Sequence, residues 1–501
     1  MGSKVKAVIG LAAVIFAPAI AGYMMTGTFA AVAGMGAMAL TAAVSMVGAS
    51  IAGSALSPDI PDLGDLSGSD TYAGQKIQSS RNNTGTVSQV YGFHRLAGNI
   101  IYQKANAAYT GNSAANGYNR DYWSIIVFAG HTVEDVTSMY AALDLMTSLG
   151  TNKFSTEHIH VKWYDASATP ISVHDVDFVV NDTGTTQAGS TLSLTDVDIP
   201  ADCAFMAVHQ VFDGSQNKNI QLNTVTVEVE GKKIRTITNA STISTSTSYS
   251  NNPAEIILDL LGTGLNIPDS KIDIASFYDV KTKCNTNGWT ANLALIQQAN
   301  IQSILEEILS TFRGQIIHSE DTWKLKVDSK NQTSVDTFTA DDIINNTLNI
   351  TMRGSKDIFN RLRLKYINPT DEWLASQVVI EDTELQGFEG QVIEKILDIK
   401  AVTNTAQAND LAEITLNTSR YSEASNGDRI KQTPLICNFS TTIKHAELEV
   451  GDVITIDHDL LDRVRKFMIL SLETDQSGLI QVAAREYAET HYKDTSGNYL
   501  I

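Results

Sequence analysis

The chain reads as a mixed, mainly β protein of the α+β kind: two β-rich regions around a helical-hairpin unit, preceded by N-terminal apolar helices. Three observations predict this. Residues 7–58 carry no charged side chain. Residues 253–261 and 301–312 repeat apolar side chains at helical spacing. The stretches on either side alternate apolar and polar residues with a period of two, punctuated by Gly, Pro and Asn. A length of 501 residues suits roughly three or four domains, each with its own core.

The apolar run comes first. Val8, Ile9, Leu11, Val14, Ile15, Phe16 and Ile20 are followed by Tyr23, Met24, Met25, Phe29, Val32, Met35 and Met38, then by Leu40, Val44, Met46, Val47, Ile51 and Leu56. One helical crossing of a bilayer takes about 20 apolar residues, so residues 1–58 have the length for two passes. Ala30 and Gly34, or Ala39 and Ala43, place small residues four apart, which suits close helix packing. Three readings follow: a membrane-active segment, a segment buried in an oligomer core or tube lumen, and a signal peptide with Lys4 and Lys6 as its basic start. The run continues far past the "APAIA" cleavage-like site, which disfavours the last.

Residues 59–84 form a linker region, which Pro58, Pro61, Gly64 and Gly68 mark as turn-rich. Residues 85–250 form the first β region. It has a strand, a turn at Gly98 and a second strand in Val87–Gln103, then strands at Trp123–Phe128, Val161–Tyr164, Val176–Val180 and Phe205–Val211. Asn223–Val229 leads to a hairpin turn at Gly231, and Ser/Thr-rich Thr236–Ser250 separates this region from the helices.

Residues 251–350 form the helical-hairpin unit. Asn252 is a good N-cap, with Pro253 at the first helical position, where a missing N–H costs nothing. Ile256, Ile257, Leu260 and Leu261 give one apolar face, and Gly262 ends the helix as a left-handed cap. Ile301, Ile304, Leu305, Ile308, Leu309 and Phe312 give a second amphipathic helix, which Gly314 stops. Ile316–His318 and Trp323–Val327 then form a hairpin around Ser319–Thr322 with one buried face.

Residues 351–501 form the second β region. Leu362, Leu364 and Tyr366 alternate before a turn at Asn368–Pro369, and a helix spans about Asn404–Ser422. His445–Ile456 is a strand–turn–strand with Gly451–Asp452 at the turn, and Lys466–Leu472 and Ile480–Glu486 complete a barrel-like set.

Composition excludes some functions. The formal charge is −20; residues 1–58 contribute only Lys4 and Lys6, so the remainder carries −22. A body that grips nucleic acid needs clustered Lys and Arg, and this one is acidic. Cys203, Cys284 and Cys437 are odd in number and widely spaced, as buried or free thiols of a protein made in a reducing cytoplasm. His158 and His160, with His174 and Asp175 near in sequence, would make a metal site only if the strands converge; a polar strand face is the commoner outcome. His445 and His458, beside Asp457 and Asp459, lack the dense oxygen series of a Ca²⁺ loop. Gly262-Thr-Gly264 follows a helix and lacks the Lys of a phosphate cradle. Glu306 and Glu307 read as the solvated face of a helix rather than a catalytic pair. Neither an enzyme nor a cofactor is expected.

Two stretches, "NNPAEIILDLL…GLNIPDSKIDIASFYDV" and "ANIQSILEEILSTFRGQIIHSEDTWKLKVD", resemble the central part of the tail-tip hub proteins of long-tailed bacteriophages, the host-specificity protein J family. The order of elements carries the likeness: an Asn-Pro helix start, a Gly loop, an "IP" turn, an "A/S-F-Y" helix start, and an "I..IL..F.G" helix entering a Trp-bearing hairpin. "VSQVYGFHRLAGNIIYQ", "SKDIFNRLRLKYINPTDEW", "VVIEDTELQGFEG" and "HAELEVGDVITI" are similar to further family segments, so the resemblance spans Val87–Tyr487. It departs at Thr236–Ser250, where members have a longer aromatic-containing loop. Long members also continue into fibronectin-like and fibre modules, which this sequence lacks.

The resemblance implies two tail-tube-like β-barrel or sandwich domains and a homotrimer forming a ring in the virion tail tip. The implied partners are the distal tail protein or tail tube ring, the tape measure protein, receptor-binding or fibre proteins, and DNA passing without sequence-specific binding. The apolar N-terminus would plug the lumen or enter the host membrane. The alternative is a membrane-anchored bacterial surface protein with a β-rich ectodomain.

Overall fold

The computed structural model describes residues 87–106 and 120–492, except 142–143, 151, 157–158, 166–170, 173–174, 178–190, 194–197, 200–201, 213–224, 298, 355–356 and 475–477, together with the strand Ala13–Phe16. It is mainly β.

The first β region is built on two larger sheets packed face to face, and Ile171–Ser172 with Asp198–Ile199 and Asp175–Asp177 with Thr191–Ser193 form two small ladders. One of the larger sheets runs in the order Asn99–Asn106, Arg120–Ala129, Ala204–Phe212, Ile159–Asp165, Lys153–Ser155, Thr147–Gly150. The other is built on the long strand Val225–Asn239, which pairs with Thr242–Tyr249, Val133–Ala141 and Phe93–Leu96. Ile126, Phe128, Met206 and Val208 of the first sheet meet Val136, Met139, Val227 and Val229 of the second in one core. Alternation with period two sends these residues to one side of each strand. The opposite face of the first sheet is apolar too, where Trp123, Ile125, Val127 and Phe205 form a separate buried cluster.

Two expectations fail here. Gly231 is not a hairpin turn: the strand runs straight through it to Asn239. Glycine is needed instead because a Cβ there would lie 2.4 Å from the Val90 carbonyl oxygen. Thr236–Ser250 is not a separator either. It completes that strand and returns as Thr242–Tyr249, where β-branched Thr and Ile suit an exposed edge.

The helical unit begins with α1, Pro253–Asp259, capped by the Asn252 side chain, which accepts the Ala254 N–H at 3.0 Å. Gly262 does not cap it. The helix widens into a π turn, Leu260–Gly264, closed by the Leu265 N–H on the Leu260 carbonyl at 3.0 Å. Asp273 caps α2, Ile274–Asn287, and Gly288 ends it in the left-handed region. Asn300 caps α3, Ile301–Ser310, whose Ile304, Leu305, Ile308 and Leu309 are buried. Gly314 does not stop α3: the chain reverses at Arg313 (φ 59°), and Gly314 opens the strand Gly314–Ser319. That strand pairs with Thr322–Val327 across a turn at Glu320 and Asp321, both with positive φ.

The C-terminal region holds two larger sheets and a short ladder of Ser422–Glu423 with Arg429–Ile430. A six-stranded one runs Ser334–Phe338, Val453–Ile456, Arg465–Thr474, Ile480–Glu486, Leu435–Thr441, Asn349–Met352. It is strongly curled, since Phe338 on the first strand and Phe439 on the fifth have ring centroids 5.1 Å apart. It begins at Ser334, ahead of the boundary expected near residue 350 from the sequence. His445 is not in a strand but in a short turn, Ile443–His445, and only Val453–Ile456 of that motif is extended. Inserted between these strands is a smaller sheet, Leu374–Glu381, Arg361–Asn368, Glu394–Asp398. Helix α4, Thr383–Glu389, follows its edge, and helix α5, Thr405–Arg420, covers one face through Leu411, Ala412 and Leu416.

The N-terminal apolar helices are corrected where the structure reaches them. Ala13–Phe16 is a β-strand, antiparallel to Gly314–Ser319. Among the described residues no helix is long and apolar enough to cross a membrane. Val14, Ile15 and Phe16 are β-branched or aromatic, and an unpaired strand edge offers them backbone partners that a lone helix turn does not.

Candidate functional site

The chemistry-bearing side chains converge on the joint where the helical unit meets both β regions. Asn292 sits at its centre, buried. Its Oδ1 accepts the Phe93 N–H at 2.7 Å from the first β region, and its Nδ2 donates to Thr403 Oγ1 at 2.6 Å in the second. Its backbone N–H donates to the Ala401 carbonyl at 2.9 Å. Close approach here demands Gly92 (φ 68°), because a Cβ would lie 2.3 Å from Asn292 Oδ1. Nearby, Gln407 on α5 donates to the Thr290 and Thr311 carbonyls at 2.9 and 2.7 Å.

Glu307 on α3 accepts the Ala401 N–H at 2.8 Å. Burial pushes its carboxyl up to about 7, an effect that nearby Asp398 reinforces and the backbone donors oppose. Glu307 is therefore an inter-unit contact, not the solvated face expected from the sequence. Its neighbour Glu306 accepts from Gln302 Nε2 at 2.8 Å within the helix.

A second node lies where the hairpin meets the curled sheet. Asp328 is buried between Arg313 and Arg485, with Arg485 Nη2 at 2.7 Å, and also accepts from the Tyr492 hydroxyl. Burial alone would raise its carboxyl, but the two guanidiniums outweigh it and hold it well below the usual carboxylate range. Lys326 reaches Asp452 at 2.6 Å and Glu449 at 3.1 Å, and Lys324 also pairs with Glu449, tying the other hairpin strand to the same sheet.

A third node is Trp373, 1% exposed at φ 63°. Its ring lies 5.4 Å from Phe93 and 4.7 Å from His94, and its Nε1–H donates to Glu228 Oε1 at 2.9 Å. A loop of the small sheet thus hooks the first β region.

The other candidates suggested by the sequence do not come together among the described residues. Among the described residues there is no His, Cys, Asp and Glu cluster that could hold a metal ion. His160 lies in a strand opposite His209, while His158 and His174 fall outside the described residues. His445 is buried with Nδ1 2.6 Å from Asp336, and His458 Nδ1 accepts the Leu460 N–H at 3.1 Å. Cys203, Cys284 and Cys437 are buried free thiols, and burial pushes Cys437 up to about 12. Of the apolar N-terminal residues, Val14, Ile15 and Phe16 lie in the paired strand, and the rest from Val8 to Leu56 lie outside the described residues.

Residues 300–472 match the family described as "Putative phage tail protein". No curated protein matches the chain. Among solved structures, a chain of the virion of a native gene transfer agent particle superposes with a TM-score of 0.54 at 14% identity, covering 91% of this chain and 98% of that one. The 43 kDa tail protein of prophage MuSo2 from Shewanella oneidensis matches at 11% identity over 80% of this chain and 97% of that one, with a TM-score of 0.28. A tail protein from Neisseria meningitidis MC58 matches at 7% over 80% and 98%, also at 0.28. Residues 300–472 carry the sequence pattern of a phage tail protein family, and over the 91% of the chain that the match covers the fold is shared with a gene transfer agent virion chain.

Proposed function

We propose that this chain is a structural hub at the distal end of a phage-type tail, of the host-specificity protein J kind. One observation carries the reading. The segment that matches phage tail proteins, 300–472, is also the one that supplies α3, the hairpin and most of the curled sheet around Asp328. The part that is tail-like in sequence thus contributes Glu307, Asp328, Trp373 and Gln407 to the joints that lock the units together, and they close on Thr290, Phe93 and Arg485 outside it. A hub needs that property, because it bears load and must keep its shape while DNA passes.

In this reading three copies form a ring whose two β regions per subunit surround the lumen. The ring binds the distal tail protein or tube ring above, the tape measure protein within and receptor-binding proteins outside. It stays closed until a receptor signal opens it. The net charge of −20 suits a passage through which DNA slides without sticking. The role is mechanical rather than enzymatic. The apolar N-terminus serves as lumen plug or enters the host membrane at ejection. Light scattering on the full-length chain tests the assembly: a concentration-independent trimer is expected, and a monomer at every concentration contradicts the ring.

A further inference from the structure

The sheet of the helical unit has three strands, and one comes from the far end of the chain. Ala13–Phe16 lies outermost, Gly314–Ser319 in the middle and Thr322–Val327 beyond. The added strand is antiparallel, with Ala13 opposite His318, Val14 opposite Ile317, Ile15 opposite Ile316 and Phe16 opposite Gln315, and it runs close to α3. Without it, Gly314–Ser319 would be an open edge carrying the buried Ile316 and Ile317. Such an edge, short of charge and rich in β-branched residues, recruits another strand. The occupant has the matching character: Ala-Val-Ile-Phe, drawn from a run of 52 residues without a charged side chain.

We propose that the Gly314–Ser319 edge is a strand-acceptor site whose occupant is the chain's own Ala13–Phe16, and that this pairing is the latch holding the apolar N-terminal segment on the helical unit. Recognition is by backbone hydrogen bonds added to a sheet edge, with side-chain identity secondary, so a competing extended apolar strand displaces the latch. The strand comprises four residues, which makes the latch releasable without unfolding the hairpin beneath it. The latch stands whether or not the chain works in a tail.

The test uses the full chain with Ala13→Cys and His318→Cys, keeping the three native thiols, which are buried. Opposed residues of antiparallel strands lie about 4.5–5.5 Å apart at Cα, inside the range a disulfide spans. Mild oxidation is expected to give an intrachain disulfide at least about tenfold faster than in Ala13→Cys with the exposed Asp321→Cys, whose position is out of register. Equal rates for the two pairs overturn the docking, and a dimer-sized product overturns the assignment of the occupant to the same chain. Hydrogen exchange provides a readout free of cysteines. Ile15→Pro removes a donor and the extended pairing, so protection is expected to fall in the Gly314–Ser319 strand while Thr322–Val327 keeps its own. Unchanged exchange at Gly314–Ser319 overturns the latch.

Discussion

Asn292 does with one side chain what most joints do with a surface: it accepts from Phe93 and donates to Thr403. Truncating it removes two part-buried hydrogen bonds, so Asn292→Ala is expected to destabilise by roughly 1–3 kcal/mol in chemical denaturation. Asp328→Asn strikes harder, because two buried guanidiniums lose their shared counter-charge, and a cost of roughly 3–5 kcal/mol is expected. Glu307 sets a pH dependence. Its folded value, about 7, lies above the ordinary glutamate value of about 4.3. Its contribution to stability is therefore fully present below about pH 4.3 and is lost as the pH rises to about 7. Glu307→Gln removes that loss, so the mutant's melting temperature relative to wild type should climb between those two pH values and then level off. None of these roles is legible in the sequence. Asn292 and Phe93 are 199 residues apart, and a polar residue in a loop looks the same whether it faces water or a partner. Glu307 reads as solvated for the same reason: helical spacing gives the face but not what covers the face.

Local signals fare better at the scale of elements. Asn252, Asp273 and Asn300 all cap helices as their chemistry requires, and the alternation at Leu325 and Val327 turns one hairpin face inward. The departures concern glycines. Gly231 and Gly314 look like punctuation in the sequence, yet both mark close packing: Val90 backbone in one case, the Phe312 ring 2.2 Å from a notional Cβ in the other. A sequence does not distinguish a glycine kept for its φ from one kept for its missing side chain. Gly314→Ala should accordingly destabilise the hairpin although its backbone is an ordinary strand, and slower refolding of that variant with a lowered denaturation midpoint would register it. Trp373 is the other element-scale lever. Trp373→Ala removes the hook between the small sheet and the first β region, at a cost of roughly 3–5 kcal/mol. Limited proteolysis of this variant should release the small sheet before the hairpin is cut; simultaneous loss would show that the hook is not what couples them.

For the whole molecule, the sequence conveys the mainly β class, because periodicity is a local property. The buried cluster that runs from Tyr91 and Ile234 through the helices to Met468, Tyr487 and Tyr492 is not visible there, since it is made of contacts between distant stretches. That continuity supports the proposal of a structural hub. The helices expected for the apolar N-terminus give way, at Ala13–Phe16, to a strand, because an available sheet edge outweighs local composition. The most direct test of the hub is to locate the chain in purified particles from the strain that encodes it, by antibody-gold labelling against the second β region. Label is expected at the distal tip of the tail, with the chain in a fixed ratio to the tube protein by mass spectrometry. Label absent from particles, with the chain recovered in the cell envelope, would contradict it and favour the anchored surface protein.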